Sequence, residues 1–295
     1  MTASKTNILV IHNPVSGRRR HGKLCRVLSH LRKADARVTV RKTRSPGEAE
    51  IFAGQAGDYD VVVVAGGDGT VNEAINGLGG LDGNAPPLAF IPLGTANILA
   101  HELGLPRSAG GLAETILRGG QYTARPGLAN GRRFLLMASA GFDAQVVARV
   151  NMRLKRHLGT AAYIFTAFLE IWRKRATSYR VSVDGETNEA GAVVITRARH
   201  YGGGFMLVPQ ARLDERKLYV VCLSGSGIWD ILRYSAALSC GRLHRLSDVR
   251  ILEGSSVIVE GSQENPVQID GDRLGTLPLE VSVDSVPIAL MAPPH

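Results

Sequence analysis

The sequence predicts an α/β protein with an open, mainly parallel N-terminal sheet, followed by an antiparallel β-sandwich-like domain. Three observations support this fold class. In the first 120 residues, short β-branched runs alternate with longer mixed segments. Turns rich in glycine, asparagine and serine follow three of those runs. From residue 122 onward, apolar and polar residues alternate with the period of two that is typical of antiparallel strands.

The N-terminal segments form a β-α-β-α-β pattern. Strands are predicted at 8–11, 37–41, 61–64 and 88–91, and helices at 18–34, 47–56, 71–76 and 96–103. A run as apolar as Val61-Val-Val-Val64 indicates a strand that is buried on both faces. The carboxyl ends of parallel strands meet at one edge of a sheet, so the loops that follow them are expected to share a crevice.

The rest of the chain is predicted to be mostly antiparallel. Its period-2 runs begin at Tyr179, Ala192, Lys217, Ser256, Val267 and Leu279. One basic helical stretch near 146–175 interrupts the pattern. We therefore expect an α/β domain over 1–121 and a β-rich domain over 122–285, with the tail 286–295 able to pack back onto the first domain.

Composition narrows the classes of function. Lys+Arg 35 exceed Asp+Glu 26, and the formal charge of +9 favours phosphate-bearing or anionic partners. Aromatic residues make up only 5%, and zinc-finger and RNP patterns are missing, which disfavours nucleic-acid binding. The three cysteines are widely separated, which supports neither a disulfide framework nor a zinc site and fits a reducing cytoplasm.

The sequence suggests no membrane-inserted segment. The N-terminus lacks the pattern of a secretory signal. The charge-free apolar segments 158–169 and 218–229 have 12 residues each. About 20 residues are needed to span a bilayer, so we expect a protein that is soluble or peripheral to the membrane.

The most specific local pattern is the loop Gly66-Gly-Asp-Gly-Thr-Val-Asn72, which follows a strand and opens a helix. Its glycines Gly66, Gly67 and Gly69 allow a phosphate to approach the backbone N–H groups at the helix N-terminus. Asp68 would repel a phosphate unless a divalent cation such as Mg²⁺ lay between them. The alternative is a tight structural turn in which Thr70 is the N-cap of the helix.

Two further turns follow strands and precede helices. The first, Asn13-Pro-Val-Ser-Gly17, leads into Arg18-Arg-Arg20, whose guanidinium groups can contact phosphate oxygens. Asn13 and Ser16 can hydrogen-bond a nucleotide, although helix capping alone would also explain them. The second turn is Pro92-Leu-Gly-Thr-Ala-Asn97. Together with the glycine-rich loop, these turns are expected to line one crevice.

In combination these motifs resemble the diacylglycerol kinase catalytic family, bacterial lipid kinases related to sphingosine and ceramide kinases. The matching segments occur in order along nearly the whole chain: Asn13–Gly17, Gly66–Glu73, Pro92–Asn97, Ala140–Asp143, Pro209–Asp214 and Ile269–Asp272. The resemblance implies an ATP site between the two domains. It assigns nucleotide contacts to Thr43, to the loop from Gly66 to Asn72, which includes Val71, and to Thr95.

The resemblance also implies a carboxylate at Asp272 that accepts the proton of the lipid hydroxyl. Relatives have Asp-Gly-Glu where this chain has Asp270-Gly271-Asp272, so the charge is kept and the side chain is one methylene shorter. A hairpin turn at Asp270-Gly271 is the structural alternative.

Two departures from the family concern magnesium. Relatives carry an aspartate after the Gly-Thr turn where this chain has Ile98, so that Asp68 and Asp143 would have to suffice. A structural magnesium site is implied at the Glu215 carboxylate and the main-chain carbonyls of Arg212 and Lys217. Arg216 stands there in place of the family's glycine, and a solvated charged turn is the alternative.

The stretch from Arg149 to Arg180 contains eight basic residues and a single acidic residue, Glu170. Apolar residues, including Phe165 and Trp172, lie between its basic clusters. Such a segment can bind the surface of an anionic membrane. An ordinary amphipathic helix with a solvated basic face is the alternative.

These observations predict an ATP-dependent lipid kinase that requires Mg²⁺ and acts in the cytoplasm, peripherally at the inner face of the membrane. Diacylglycerol is the expected acceptor, with a sphingoid base or ceramide as alternatives. NAD kinase remains open because that family shares the Gly-Gly-Asp-Gly-Thr loop. A non-catalytic regulator that binds nucleotide or membrane is a further alternative, and the sequence leaves the oligomeric state open.

Overall fold

The structure is a computed structural model that describes residues 5–17, 21–81, 83–140, 178–225 and 227–294. The chain divides into two compact units, Met1–Arg125 with Val286–His295, and Pro126–Ser285. The sequence predicts a division after residue 121.

The first unit contains a six-stranded sheet with the order β2-β1-β3-β4-β20-β5. Its strands are β1 (Asn7–His12), β2 (Arg37–Lys42), β3 (Val61–Gly66), β4 (Leu88–Pro92), β5 (Gly120–Ala124) and β20 (Ile288–Ala292). All neighbouring pairs are parallel except β20 with β5. The open, mainly parallel sheet is therefore confirmed, and the strand near the C-terminus is one of its members.

Helices cover both faces of this sheet. They are α1 (His21–Lys33), α2 (Glu48–Gly54), α3 (Asp68–Leu78), α4 (Ile98–Glu102) and α5 (Ala109–Arg118), and a 3₁₀ turn, Gly79–Leu81, follows α3. Helices α1 and α5 share a core with Val10 and Val63. Helices α2 and α3 pack on each other and on strands β1 and β3, where Leu9 and Val62 are fully buried. Burial on both faces explains the unbroken apolar runs.

The second unit is a β-sandwich of two antiparallel six-stranded sheets, with the orders β10-β9-β16-β19-β6-β7 and β15-β14-β11-β8-β17-β18. Val181 and Val257 of one sheet share a core with Val193 and Val220 of the other. The strands are β6 (Gly127–Ala129), β7 (Arg132–Phe134), β8 (Met137–Ala140), β9 (Tyr179–Val183), β10 (Glu186–Ala190), β11 (Ala192–Thr196), β14 (Leu218–Leu223), β15 (Val249–Gly254), β16 (Ser256–Glu260), β17 (Pro266–Ile269), β18 (Asp272–Thr276) and β19 (Leu279–Val283). A small ribbon adds β12 (His200–Tyr201) and β13 (Phe205–Met206). The predicted sandwich is confirmed.

A helix, α6 (Ile228–Ser239), lies in a region that the sequence predicted to be strands and turns. At its start the Gly227 N–H donates to Asp230 Oδ2 (3.1 Å), so an acidic side chain caps the first turn. A 3₁₀ turn, Leu243–Arg245, follows this helix. The basic helix predicted near 146–175 lies outside the described residues.

Candidate active site

The turn after β3 leads directly into α3. Gly67 is the N-cap in an extended conformation (φ −110°, ψ −177°), and Asp68 is the first helical residue. At Gly66 a Cβ atom would lie 2.7 Å from Thr70 Oγ1, so no side chain fits there. The alternative in which Thr70 is the N-cap is wrong, because the helix begins before it. The first N–H groups of a helix lack intrahelical acceptors and favour an anion.

The turn after β1 packs against its two neighbours. Asn13 Nδ2 donates to Thr70 Oγ1 (3.0 Å), which joins this turn to the first turn of α3. Asn13 Oδ1 accepts from two backbone N–H groups of its own turn, at 3.0 Å and 3.4 Å. Gly17 has a positive φ of 67°, and a Cβ atom there would lie 2.1 Å from the Leu93 carbonyl oxygen. Only glycine meets both conditions.

The turn after β4 completes the arrangement. The backbone N–H groups of Leu93 and Gly94 donate to the Gly66 carbonyl at 2.8 Å and 2.9 Å. A Cβ atom on Gly94 would lie 2.7 Å from Gly67 Cα, so the two backbones are in direct contact. Residues 13–17, 66–72 and 92–97, called the turn cluster below, thus meet at the carboxyl edge of the sheet, within the first unit.

Asn97 is the last residue of the turn cluster and adopts a left-handed conformation, with φ 50°. Its Nδ2 group donates to the Gly94 carbonyl (2.8 Å). The side chain is 8% exposed, and its Oδ1 atom accepts no hydrogen bond from any part of the chain that the structure describes. Such an acceptor suits a hydroxyl donor or a hard cation.

Asp68 reaches across the turn cluster to the N-terminus of α4. Its Oδ2 accepts from the Ile98 N–H (3.1 Å) and its Oδ1 from the Leu99 N–H (3.2 Å). Burial raises the pKa of the Asp68 carboxyl, and the backbone N–H groups of Leu99 and Ile98 partly oppose that shift. The carboxylate therefore connects α3 to α4. The sequence analysis did not predict this contact. Its only signal in the sequence is that the first turn of α4 contains no acidic residue, so that an acidic cap has to come from another segment.

The other residues predicted to contact a nucleotide occupy different surroundings. Thr43 follows β2 and is 7% exposed, and its N–H donates to the carbonyl of the last β1 residue (2.9 Å). Thr95 is exposed in the turn after β4, and Gly69 lies in the first turn of α3. Val71 and Asn72 are buried in α3, so their side chains face away from solvent.

In the second unit, Asp270 and Gly271 form the turn of the β17–β18 hairpin, with φ 47° and 89°. The structural alternative for these two residues is thus confirmed. The Asp270 carboxylate also accepts from three consecutive backbone N–H groups at 135–137, each at 2.9 Å. Asp272 is the first residue after the turn and is exposed. The sequence did not reveal the anchoring role of Asp270, and the proton-accepting role of Asp272 stays a prediction.

The predicted ligands of a structural magnesium ion already have donors from the protein. The Arg212 carbonyl accepts from the Glu215 N–H (3.4 Å), and Glu215 Oε2 accepts from the Tyr219 hydroxyl (2.9 Å). The Lys217 carbonyl accepts from Arg197 Nη1 (2.5 Å). Magnesium requires near-octahedral oxygen ligands at about 2.0–2.1 Å. This arrangement does not fit it, because the cationic Arg197 guanidinium already contacts the Lys217 carbonyl.

Several predicted residues lie outside the described residues. These are Arg18–Arg20, Asp143 and the basic stretch up to residue 177. Across the described ranges, no three His, Cys, Asp or Glu side chains lie close enough to hold a metal ion. No helix within those same ranges is long and apolar enough to cross a membrane.

The fold combines an α/β unit, in which three turns meet at the carboxyl edge of the sheet, with an antiparallel sandwich. The model of the diacylglycerol kinase catalytic domain matches residues 7–128. A second family model, the YegS C-terminal NAD kinase beta sandwich-like domain, matches residues 137–292.

Individual proteins agree with these matches. The chain is 31% identical over 282 residues to the diacylglycerol kinase of Bacillus subtilis (strain 168), covering 92% of this chain and 91% of that one. Its identity to the diacylglycerol kinase of Staphylococcus haemolyticus is 28% over 274 residues, covering 91% and 83%. The chain therefore belongs to the diacylglycerol kinase family and is a lipid kinase.

Solved structures support the fold. A crystal structure from Bacillus anthracis str. Sterne aligns with a TM-score of 0.82 and 24% identity, covering 100% of this chain and 98% of that one. A crystal structure of a diacylglycerol kinase from the same organism aligns with a TM-score of 0.74 and 21% identity, covering 99% of each chain. At these identities the likeness concerns the fold alone.

Proposed function

We propose that the protein transfers the γ-phosphoryl group of ATP to a lipid hydroxyl, with diacylglycerol as acceptor and phosphatidic acid as product. The observation that carries this proposal is the turn cluster, where glycine backbones from neighbouring strands meet beside the N-terminus of α3. Backbone N–H groups without bulky side chains form a cradle for phosphates. The names of the relatives favour diacylglycerol as the acceptor.

In this proposal the ATP phosphates lie on the loop from Gly66 to Asn72, and Asn13, Thr43 and Thr95 add polar contacts. The buried Asn97 Oδ1 and the Asp68 carboxylate, each of whose oxygens keeps lone pairs after accepting one N–H, fit a cation. When bound, Mg²⁺ supplies positive charge against the phosphate oxygens. Asp68 also holds the start of α4, which fixes the turn that contains Asn97.

The transfer itself needs little covalent chemistry from the protein. The lipid hydroxyl oxygen forms a bond to the γ-phosphorus while the bond to the bridging oxygen breaks, and ADP leaves. The hydroxyl proton passes to the Asp272 carboxylate in the proposed role. Because Asp272 is exposed, it can return that proton to water between turnovers.

An acceptor panel tests this function. The protein is incubated with γ-labelled ATP and MgCl₂, and with diacylglycerol, a sphingoid base or ceramide in mixed micelles, or with NAD in solution. The proposal expects labelled phosphatidic acid as the main product. Label on NAD, on the sphingoid base or on ceramide in preference to diacylglycerol would contradict the proposed acceptor. ATP binding without labelled product in every arm would contradict catalysis and support a regulator.

We further propose that the protein contacts the inner face of the membrane peripherally. The basic stretch from Arg149 to Arg180 supports this through its charge. A face of α6 adds apolar area, because Trp229 is 80% exposed and Leu232 is 45% exposed, and the two are neighbours on one side of the helix. Arg242 and Arg245 lie just beyond α6 and are exposed, which suits anionic lipid. Trp229 and Leu232 are called the α6 face below.

A further inference from the structure

Arg197 has the largest fully buried side chain of the described residues, with 0% exposure. It follows β11 directly, and its own N–H donates to the Leu136 carbonyl (2.8 Å). Its side chain extends to the loop that precedes β14. Charged side chains are almost never fully buried unless they have partners, so the contacts of this guanidinium indicate its role.

The guanidinium donates to three carbonyl groups of that loop. Nη1 donates to the Lys217 carbonyl (2.5 Å), and Nη2 donates to the Leu213 carbonyl (3.1 Å) and to the Glu215 carbonyl. Three carbonyl oxygens from alternate residues thus point at one cationic group. Carbonyl oxygens that converge in this way are also typical ligands of hard metal ions.

The charged side chains of the loop that Arg197 contacts already have partners within the protein. The Glu215 carboxylate accepts from the Tyr219 hydroxyl (2.9 Å) and lies 3.9 Å from Lys217 Nζ. Lys217 Nζ in turn pairs with Glu253 (2.8 Å). The carboxylate that a metal ion would need therefore already has donors. A divalent ion would also be repelled by a guanidinium that shares the Lys217 carbonyl.

We propose that Arg197 is the built-in cation of the 212–217 loop and takes the place of a divalent metal ion there. The fold of the second unit then does not depend on magnesium, and any requirement for Mg²⁺ arises elsewhere in the protein. This inference does not rest on the identity of the substrate. The planar guanidinium suits the role because it presents several donors in fixed directions and keeps its charge when buried.

Thermal unfolding of the full chain without nucleotide tests the inference, in excess EDTA and in millimolar MgCl₂. We expect any difference between the two melting temperatures of the wild-type protein to arise outside the 212–217 loop, because that loop gains and loses no ion. Glu215→Gln should behave in the same way, since the amide oxygen can still accept from Tyr219. Stabilisation of the wild type by Mg²⁺ that Glu215→Gln abolishes would overturn the inference.

A second pair of variants tests Arg197 directly. Arg197→Met keeps the approximate length of the side chain, removes the charge and takes away the guanidinium donor of three carbonyls. We expect its melting temperature to fall by about 5 °C or more. Arg250→Met, at an exposed arginine on β15, is the matched control and should change it little. Equal melting temperatures for the two variants would overturn the inference. If Arg197→Met does not fold, the wild-type and Glu215→Gln measurements still decide.

Discussion

The variant Gly94→Ala tests whether ATP binding depends on the close packing of the turn cluster. A Cβ atom there would lie 2.7 Å from Gly67 Cα and 2.9 Å from Asn97 Oδ1, so the turns would have to separate. We expect Gly94→Ala to weaken ATP binding by about tenfold or more, since phosphate cradles depend on backbone position. Calorimetric titration with ATP and MgCl₂ measures this. Gly80→Ala, where a Cβ meets nothing within 4 Å, is the control, and equal affinities in both variants would refute the expectation.

Asp270 and Asp272 are two residues apart and have different expected roles. Asp272→Asn should lower kcat by roughly 10²–10⁴ with little change in ATP affinity, because a proton acceptor is lost. Asp272→Glu restores the residue of the relatives and should keep kcat within about tenfold. Steady-state kinetics and calorimetry give both values.

Unlike Asp272→Asn, the variant Asp270→Asn is expected to affect stability. It should lower the free energy of unfolding by about 1–3 kcal/mol, because its carboxylate accepts from three buried N–H groups. Asp272→Asn should leave that free energy nearly unchanged, since the residue is exposed. A normal kcat in Asp272→Asn would mean that the proton acceptor has been misassigned.

At the scale of elements, α6 is joined to the start of β15 through one aspartate. Arg233 Nη1 donates to Asp248 Oδ1 (2.9 Å), and the Tyr234 hydroxyl donates to Oδ2 (2.5 Å). Arg233, followed by Tyr234, lowers the pKa of Asp248 to about 2, below its ordinary value of 3.8. Burial, and then the Asp248 carboxylate, raise the pKa of Tyr234 to about 12.

The lowered pKa predicts how stability depends on pH. A carboxyl whose folded pKa is depressed contributes stability above its unfolded pKa, and loses it as the pH falls through the folded value. The wild-type protein should therefore exceed Asp248→Asn in melting temperature at pH 6, and the difference should shrink between about pH 5 and pH 2. A difference that stays constant over this range would show that the Arg233–Asp248 contact contributes nothing through charge.

The α6 face is expected to contribute to membrane contact. Replacing Trp229 and Leu232 together by glutamine should reduce binding to vesicles with anionic lipid by about tenfold, since two exposed apolar side chains are lost. Ile258→Gln, at another exposed apolar residue, should have little effect. Binding by the wild type should also weaken with added salt, which screens charges over about 8 Å at physiological ionic strength. Vesicle sedimentation that shows the same loss for both variants would contradict this assignment.

Sequence periodicity predicted ten of the twenty strands in the described residues and missed two of the helices there. Buried strands such as Val61–Gly66 are recognisable because both faces exclude water. Helix α5 contains Gly110 and Gly111, which are weak helix formers, and tertiary packing with α1 compensates for them. Helix α6 follows β14 after a few residues, and the apolar runs of the two elements merge in the sequence. Only Asp230, three residues after Gly227, indicated a helix start there.

At the scale of the whole molecule, the sequence predicted which turns meet. It did not predict the individual contacts that join segments distant in the chain. Parallel strands force residues 13–17, 66–72 and 92–97 to one edge, so their convergence follows from the pattern. The contacts of Asp68 with Ile98 and of Arg197 with Lys217 join segments whose pairing depends on three-dimensional packing. Local patterns carry no signal for such contacts.

We propose that phosphoryl transfer occurs at the carboxyl edge of the first sheet. Asp60 and Asp68 flank β3 at its two ends, and each accepts a backbone N–H, Asp60 from Asn7 (2.7 Å) and Asp68 from Ile98 (3.1 Å). Asp60 is exposed and accepts one backbone N–H, whereas Asp68 is partly buried and accepts two. Only Asp68 belongs to the turn cluster.

The decisive measurement is the rate of label transfer from γ-labelled ATP to diacylglycerol in mixed micelles, for Asp68→Asn and Asp60→Asn, with melting temperatures recorded for both. We predict that Asp68→Asn loses about 10²-fold or more in kcat, while Asp60→Asn keeps nearly the wild-type rate and both proteins stay folded. A folded Asp68→Asn variant with a rate equal to that of Asp60→Asn would contradict the account.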